Sequence, residues 1–280
     1  MVTLISYYSD NVKFDKFLEV SINSFNYFHK EENFIIKLTK QEDLNDLGIN
    51  KNLPAGVLKF KVAEKIAREK NANKIIILGA DTIICSRLDE FLDNNYHQIL
   101  ATLDYAYTIP LGIKNSNSQN HVNADVVCFN DINILSLLIT EYEKNPQMFG
   151  DYYEQGVLNY ILFSEKFHVS YKIVDSPYPE SKISYNVRGK GPANGLYGGV
   201  LARLQFKDYI LKYEVKNDKL YTNEGCQIKV FHYCQALGHF GNNEVEEITN
   251  CFIFEMFNED TRKFLNKISN TSFFSTKFKI

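Results

Sequence analysis

The run Lys74-Ile75-Ile76-Ile77-Leu78 has no polar face, and it stops at Gly79-Ala80-Asp81. A strand that is apolar on both sides must be covered on both sides. That is the condition of a strand inside a parallel sheet with helices packed above and below. Asp81 then falls just past the carboxyl end of the strand, the edge at which such sheets hold their ligands. This one segment predicts both the layering of the fold and the place where chemistry sits.

The flanking sequence agrees. Residues 2–7 read as a buried first strand and residues 14–28 as a helix, with Phe17, Val20, Ser21, Phe25 and Phe28 on one face. Residues 34–38 suit a second strand. Pro54 opens a helix in which Leu58, Val62 and Ile66 recur every four residues. Ser86-Arg87-Leu88-Asp89 has the S-x-x-D form of a capping box and predicts a helix running to Phe91. Residues 126–129 read as a further strand, 132–144 and 152–163 as helices, and 227–233 as a strand. Residues 189–199 hold five glycines and read as a loop. The β-α-β-α order predicts an α/β, Rossmann-like fold with a mostly parallel central sheet. One domain is expected over 1–240, with a helical extension over 241–280.

Composition narrows the function. Of the 280 residues 45% are hydrophobic, enough for a full core. Lys and Arg total 31 against 34 for Asp and Glu, a net charge of −3 that argues against a dedicated nucleic-acid binder. No apolar run approaches the roughly 20 residues of a membrane helix. The opening MVTLISYY lacks the basic-then-apolar order of a secretory leader. Five cysteines without a CxxC pair read as reduced thiols, which predicts a cytoplasmic location.

Four short constellations carry candidate chemistry. Asp81 at a strand end can hold a hard divalent cation against a diphosphate, or it can cap a turn. Asn123-Ala124-Asp125 precedes the 126–129 strand, and its polar groups are either ligand contacts or hydrogen-bonded core groups. Glu154-Gln155 opens a helix, where the dipole favours negative charge, so a plain helix start explains it equally well. His232 at a strand end is a metal ligand or a packed imidazole.

Order and spacing together resemble the glycogenin-like and lipopolysaccharide galactosyltransferase-like family of retaining glycosyltransferases, which have the GT-A fold. The matching pieces are Val2-Thr3-Leu4; Gly79-Ala80-Asp81-Thr82 followed by Leu88-Asp89-Glu90-Phe91; Asn123-Ala124-Asp125-Val126; Glu154-Gln155-Gly156-Val157-Leu158-Asn159; Tyr185-Asn186; and Val230-Phe231-His232-Tyr233. They span residues 2–240.

The resemblance implies a nucleoside diphosphate sugar donor, most often a UDP-sugar, and a glycan, lipid-linked or protein acceptor. It implies Mn2+ (or Mg2+) held by Asp81 and His232. Tyr7, Tyr8, Asp10, Lys61, Ala80, Asp81 and Asn123 become the candidate donor-binding residues. Gln155, Glu154 and Asp125 become the candidate catalytic ones. Peripheral membrane contact and a homodimer are both compatible with it. Three departures stand out. Gly79 occupies the place of the first Asp of the family's D-x-D. Gln235-Ala236-Leu237-Gly238-His239 replaces the segment whose Lys meets the diphosphate, leaving His239, or Arg188 and Lys190, as substitutes. Asp125 stands where the family keeps a Gly. The rival readings are a sugar-nucleotide nucleotidyltransferase, disfavoured by the lack of glycine in Ser6-Tyr7-Tyr8-Ser9-Asp10-Asn11, and a degenerate relative that binds without turnover.

Overall fold

The computed structural model describes residues 2–30, 34–80, 82–103, 122–150, 153–174, 183–184, 213–222, 227–232 and 258–272. The chain groups into two compact units. One comprises Met1–Asp15, Glu31–Ala80 and Leu88–Val174; the other comprises Lys16–Lys30, Asp81–Arg87 and Asp175–Ile280.

The first unit is built on a six-stranded sheet. Its strands are β1 (Thr3–Ser9), β2 (Phe34–Lys40), β3 (Lys74–Leu78), β5 (Ile99–Leu103), β6 (Val122–Phe129) and β7 (Tyr171–Ile173), in the spatial order β2-β1-β3-β6-β5-β7. β1 pairs in parallel with β2 and β3, and β5 with β7. β6 runs against both of its neighbours. The sheet is thus mostly parallel, as expected, with one reversed strand that the sequence did not announce. All five residues of β3 are buried.

The strand expected from residue 126 begins at Val122. Asn123 and Asp125 therefore lie inside it rather than before it. Because β6 is reversed, its amino end comes to the edge where β3 finishes: Val126 is the register partner of Leu78, and the Gly79 N–H donates to Asp125 O at 2.7 Å.

Helices α2 (Ala55–Lys70), α4 (Asn133–Lys144) and α5 (Tyr153–Phe163) pack against one another over this sheet. Leu58, Val62 and Ile66 are buried, as their spacing predicts. Pro54 is the N-cap residue of α2, and Asn71 closes the helix in the left-handed conformation at φ 52°. The short α3 (Asp89–Asp93) starts without a side-chain cap. Ser86 does not cap it, because its Oγ accepts from Gln227 Nε2 at 2.9 Å. The other end of α3 is held by Lys74. Its ammonium, on a residue 1% exposed, donates to the carbonyls of Phe91, Leu92 and Asn94.

The second unit contains most of α1 (Asp15–Phe28). It also contains β4 (Thr82–Ile84) paired antiparallel with β12 (Val230–His232). A four-stranded sheet runs β8 (Ile183–Ser184), β11 (Gln227–Ile228), β10 (Lys219–Thr222), β9 (Tyr213–Lys216). Helix α6 (Glu259–Ser269) is capped by Asn258, which accepts from the Thr261 N–H and donates to Tyr213 O. It accounts for part of the helix expected over 241–280. The glycine-rich stretch 189–199, Arg188, Lys190, Tyr185, Asn186 and His239 lie outside the described residues. Among the described residues no helix is long and apolar enough to cross a membrane.

Candidate functional site

α5 meets β6 through amides. Asn159 sits one turn beyond Gln155 and is fully buried. Its Oδ1 accepts from the Val122 N–H at 2.8 Å, and its Nδ2 donates to Val122 O and Gln155 O. This fastens the start of β6 to the first turns of α5. Gln155 Oε1 accepts from the Ala124 N–H at 3.3 Å and from Asn123 Nδ2 at 3.2 Å. The Asp125 N–H in turn donates to Asn123 Oδ1 at 2.7 Å. Backbone N–H groups can only donate, so each amide has its oxygen where these bonds require it. The Gln155 oxygen faces β6.

Beside this network is an ionic cluster. Lys59 Nζ lies 2.5 Å from Asp125 Oδ1 and 3.1 Å from Glu154 Oε1. Burial opposes the charge of Lys59, but the two carboxylates outweigh it and hold its pKa above the ordinary value. Gly56 makes the room. A Cβ at that position would fall 1.8 Å from Glu154 Oε2, so the glutamate carboxylate lies over the bare backbone of α2. The helix carrying Glu154 begins at Tyr153, whose φ is +35°. A non-glycine residue held in that region marks stored strain, of the kind that gathers at ligand sites.

Three of the expected catalytic residues, Asp125, Glu154 and Gln155, are thus brought together with Asn123 at one edge of the sheet. Lys59 and Gly56 were missed. Lys59 could have been found from its phase: it lies three residues before Val62 and seven before Ile66, a lysine on the apolar stripe of its helix. Lys61, the lysine singled out instead, is two residues on and roughly 200° round the helix. There its ammonium pairs with Glu143 at 3.2 Å.

At the end of β1, Tyr7 is fully buried, so its ring belongs to the core and offers no face to a base. Tyr8 is half-buried, and its hydroxyl has no hydrogen-bond partner among the described residues. Burial, and then the charge of Asp10, push its pKa up to about 12. Asp10 is exposed, and Ala80 is partly exposed in a turn.

In the second unit, His232 is the register partner of Thr82, the residue that follows Asp81 in the chain. Asp81 itself lies outside the described residues, as does the side chain of His232. Among the described residues no group of three or more His, Cys, Asp or Glu side chains could hold a metal. An oxygen donor from Asp81 suits Mn2+ or Mg2+ in kind, and an imidazole nitrogen from His232 suits the softer of the two, Mn2+. The two described free cysteines, Cys85 and Cys128, are buried, and burial raises both thiol pKa values, so neither is a reactive nucleophile.

No protein-family profile matches the sequence, and no curated protein matches it. Solved structures do. A glycosyltransferase involved in the glycosylation of the major capsid of PBCV-1 aligns over 89% of this chain and 98% of its own, at 11% identity and a TM-score of 0.50. The galactosyltransferase LgtC, in complex with donor and acceptor sugar analogs, aligns over 94% of this chain and 100% of its own, at 15% identity and a TM-score of 0.49. Mouse xyloside xylosyltransferase 1 aligns over 82% of this chain and 96% of its own, at 10% identity and a TM-score of 0.45. The fold is the GT-A fold of glycosyltransferases.

Proposed function

We propose that this chain, with its GT-A fold, is a glycosyltransferase. It moves a sugar from a nucleoside diphosphate sugar, UDP-linked, to a glycan, lipid-linked or protein acceptor, with retention of configuration. The observation that carries this reading is the meeting of Asp125, Glu154 and Gln155 at the carboxyl-end edge of the sheet, each held by a named partner.

The roles follow from the chemistry of each group. Glu154 and Asp125, both held by Lys59, accept hydrogen bonds from sugar hydroxyls. Gln155 has its oxygen engaged by the Ala124 N–H, so it serves through its amino group as a donor rather than as a nucleophile. That assignment favours attack on the same face from which the diphosphate leaves. Tyr8 and Asp10 recognise the base, Ala80 lines the donor, and Asn123, fully buried, acts behind it by holding Gln155 and the Asp125 N–H.

Lys59 is already balanced by two carboxylates, so it has no spare charge for a diphosphate. Asp81 and His232 therefore hold Mn2+ or Mg2+. The cation, when bound, supplies positive charge to the departing diphosphate. Gly79, standing where the resemblance places a carboxylate, supports a second reading in which the chain binds sugar nucleotides without turning them over.

Thermal denaturation with a panel of UDP- and GDP-sugars, with and without Mn2+, tests binding, because a bound donor stabilises the fold by mass action. A metal-dependent rise in Tm with at least one donor is expected. No shift with any member of the panel would contradict both readings.

A further inference from the structure

β6 carries more residues than its neighbour β5 can match. The step from Ala101 to Thr102 on β5 is a single residue, while the facing step on β6 runs from Val127 to Asn123. Ala124, Asp125 and Val126 therefore form an arch with no register partner on β5. Toward β3 the ladder continues: Val126 is opposite Leu78, and Asp125 O accepts from the Gly79 N–H.

The arch changes the phase of the strand. Val127 and Phe129 share one core with the apolar side chains of α2, α4 and α5, and so do Val122 and Ala124. These are odd positions beyond the arch and even ones before it. Side chains alternate faces along a strand, so a regular β6 would put Asp125 in phase with Val127 and Phe129, inside that core. An ionised carboxylate is costly there. With the arch, Asp125 is the one residue of β6 that is not buried, and its carboxylate meets Lys59.

Side chains hold the arch where a second ladder would. The Ala124 N–H donates to Gln155 Oε1, and the Asp125 N–H to Asn123 Oδ1. Thr102, fully buried, donates its hydroxyl to Val126 O at 2.8 Å. Successive residues of an antiparallel strand turn their backbone groups to alternate sides. Asp125 O faces β3, so Val126 O faces β5, across the gap that the hydroxyl closes.

We propose that the arch presents Asp125 to the donor sugar, and that Thr102 is the positioning residue that sets its aim. By tying down Val126 O, the threonine hydroxyl fixes the direction in which the carboxylate leaves the sheet. The contact of Asp125 with a sugar rests on the function proposed above. Thr102 touches no substrate and acts through the strand.

A double-mutant cycle of Thr102→Val with Asp125→Asn tests this on the purified chain. Valine keeps the β-branched shape and loses the hydroxyl; Thr102→Ser is the rescue. Affinity is read by calorimetry for the UDP- or GDP-sugar that raises Tm most, and stability by the urea midpoint. Thr102→Val should weaken donor binding about tenfold when Asp125 is present, and less than about twofold in Asp125→Asn, because the two residues act as one unit. Thr102→Ser should bind within about twofold of wild type. The urea midpoint should also fall further with Asp125 in place, since a misaimed carboxylate loses Lys59 as well. Equal losses in the two backgrounds, in either readout, would overturn the proposal, and so would a loss that serine fails to restore. A wild type that binds no member of the panel would instead remove Asp125 as a sugar contact, and the midpoints alone would then decide whether Thr102 sets its aim.

Discussion

Lys59 donates to Asp125 across 2.5 Å, joining the second turn of α2 to the reversed strand β6. Glu154 shares the same ammonium. One buried cation therefore fixes two carboxylates that come from different parts of the chain.

Lys59→Met would leave both carboxylates without their counter-ion. Breaking a fully buried pair costs about 3–5 kcal/mol. Asp125 is a third exposed, so roughly 2 kcal/mol is expected here at neutral pH. The sign with pH is definite. In the wild type, the raised pKa of Lys59 gives a stabilising contribution that is complete below the unfolded value of about 10.5 and lost only above it. The variant lacks that contribution, so its deficit should be level between pH 7 and pH 9 and should narrow only above about 10.5, where the wild type begins to lose it. Urea denaturation across this range reads it; a deficit that narrows between pH 7 and pH 9 would contradict it.

Gly56→Ala separates stability from activity. The new Cβ takes the place of Glu154 Oε2, and the glutamate must swing away from Lys59. Gly56 is in the first turn of α2, where alanine gains less than the roughly 1 kcal/mol of a helix interior, and against that gain stands the loosened Glu154–Lys59 pair. Tm should change little while sugar transfer falls. Equal activity in the variant would show that the seat of Glu154 is irrelevant to turnover.

Gln155→Glu keeps an acceptor for the Ala124 N–H and puts an oxygen in place of the amino group. If that amino group donates to the donor sugar, kcat should fall by about a hundredfold with the fold intact, the usual loss for one preorganised donor. A nucleophilic role predicts the opposite, because a carboxylate is the better nucleophile. Single-turnover kinetics and mass spectrometry for a glycosylated residue 155 distinguish the two.

Lys74→Met tests the fold rather than the site. Burial lowers the pKa of this lysine, yet its ammonium serves three carbonyls around the end of α3. Methionine has similar volume and removes the ammonium from all three; Asn94 O keeps its bond from Asn130 Nδ2, and the loss expected from the others is about 2–3 kcal/mol. Chemical denaturation should show that loss without a change in Mn2+ affinity.

Much of this was legible in the residues. The unbroken apolar run of β3 and the four-residue stripe of α2 predict a covered sheet because burial on two faces, or on one, leaves those periods in the sequence. Asn123, Asp125, Glu154 and Gln155 were marked as candidates by type and order, and they do meet. The direction of β6 was not legible, since an apolar run reads the same in a parallel or an antiparallel pair. Its start was misjudged because the polarity of Asn123 and Asp125 looked like a boundary, although both residues find partners inside the protein. Ser86 resembled a helix cap, but its hydroxyl serves Gln227 instead. Lys59 escaped notice because a lysine among apolar residues reads as a solvated neighbour until its two carboxylates, 66 and 95 positions away, are in view.

The central claim is that Asp81 and His232 together support transfer from a nucleoside diphosphate sugar. The direct measurement is release of nucleoside diphosphate from the donor that raises Tm most, with Mn2+ present, by the wild type, Asp81→Asn and His232→Ala. Circular dichroism confirms that all three are folded. The account predicts release by the wild type and at least a hundredfold less by each variant, on the order expected for loss of a charge-stabilising group. Full Mn2+-dependent release by both variants, or release of pyrophosphate by the wild type, would contradict it.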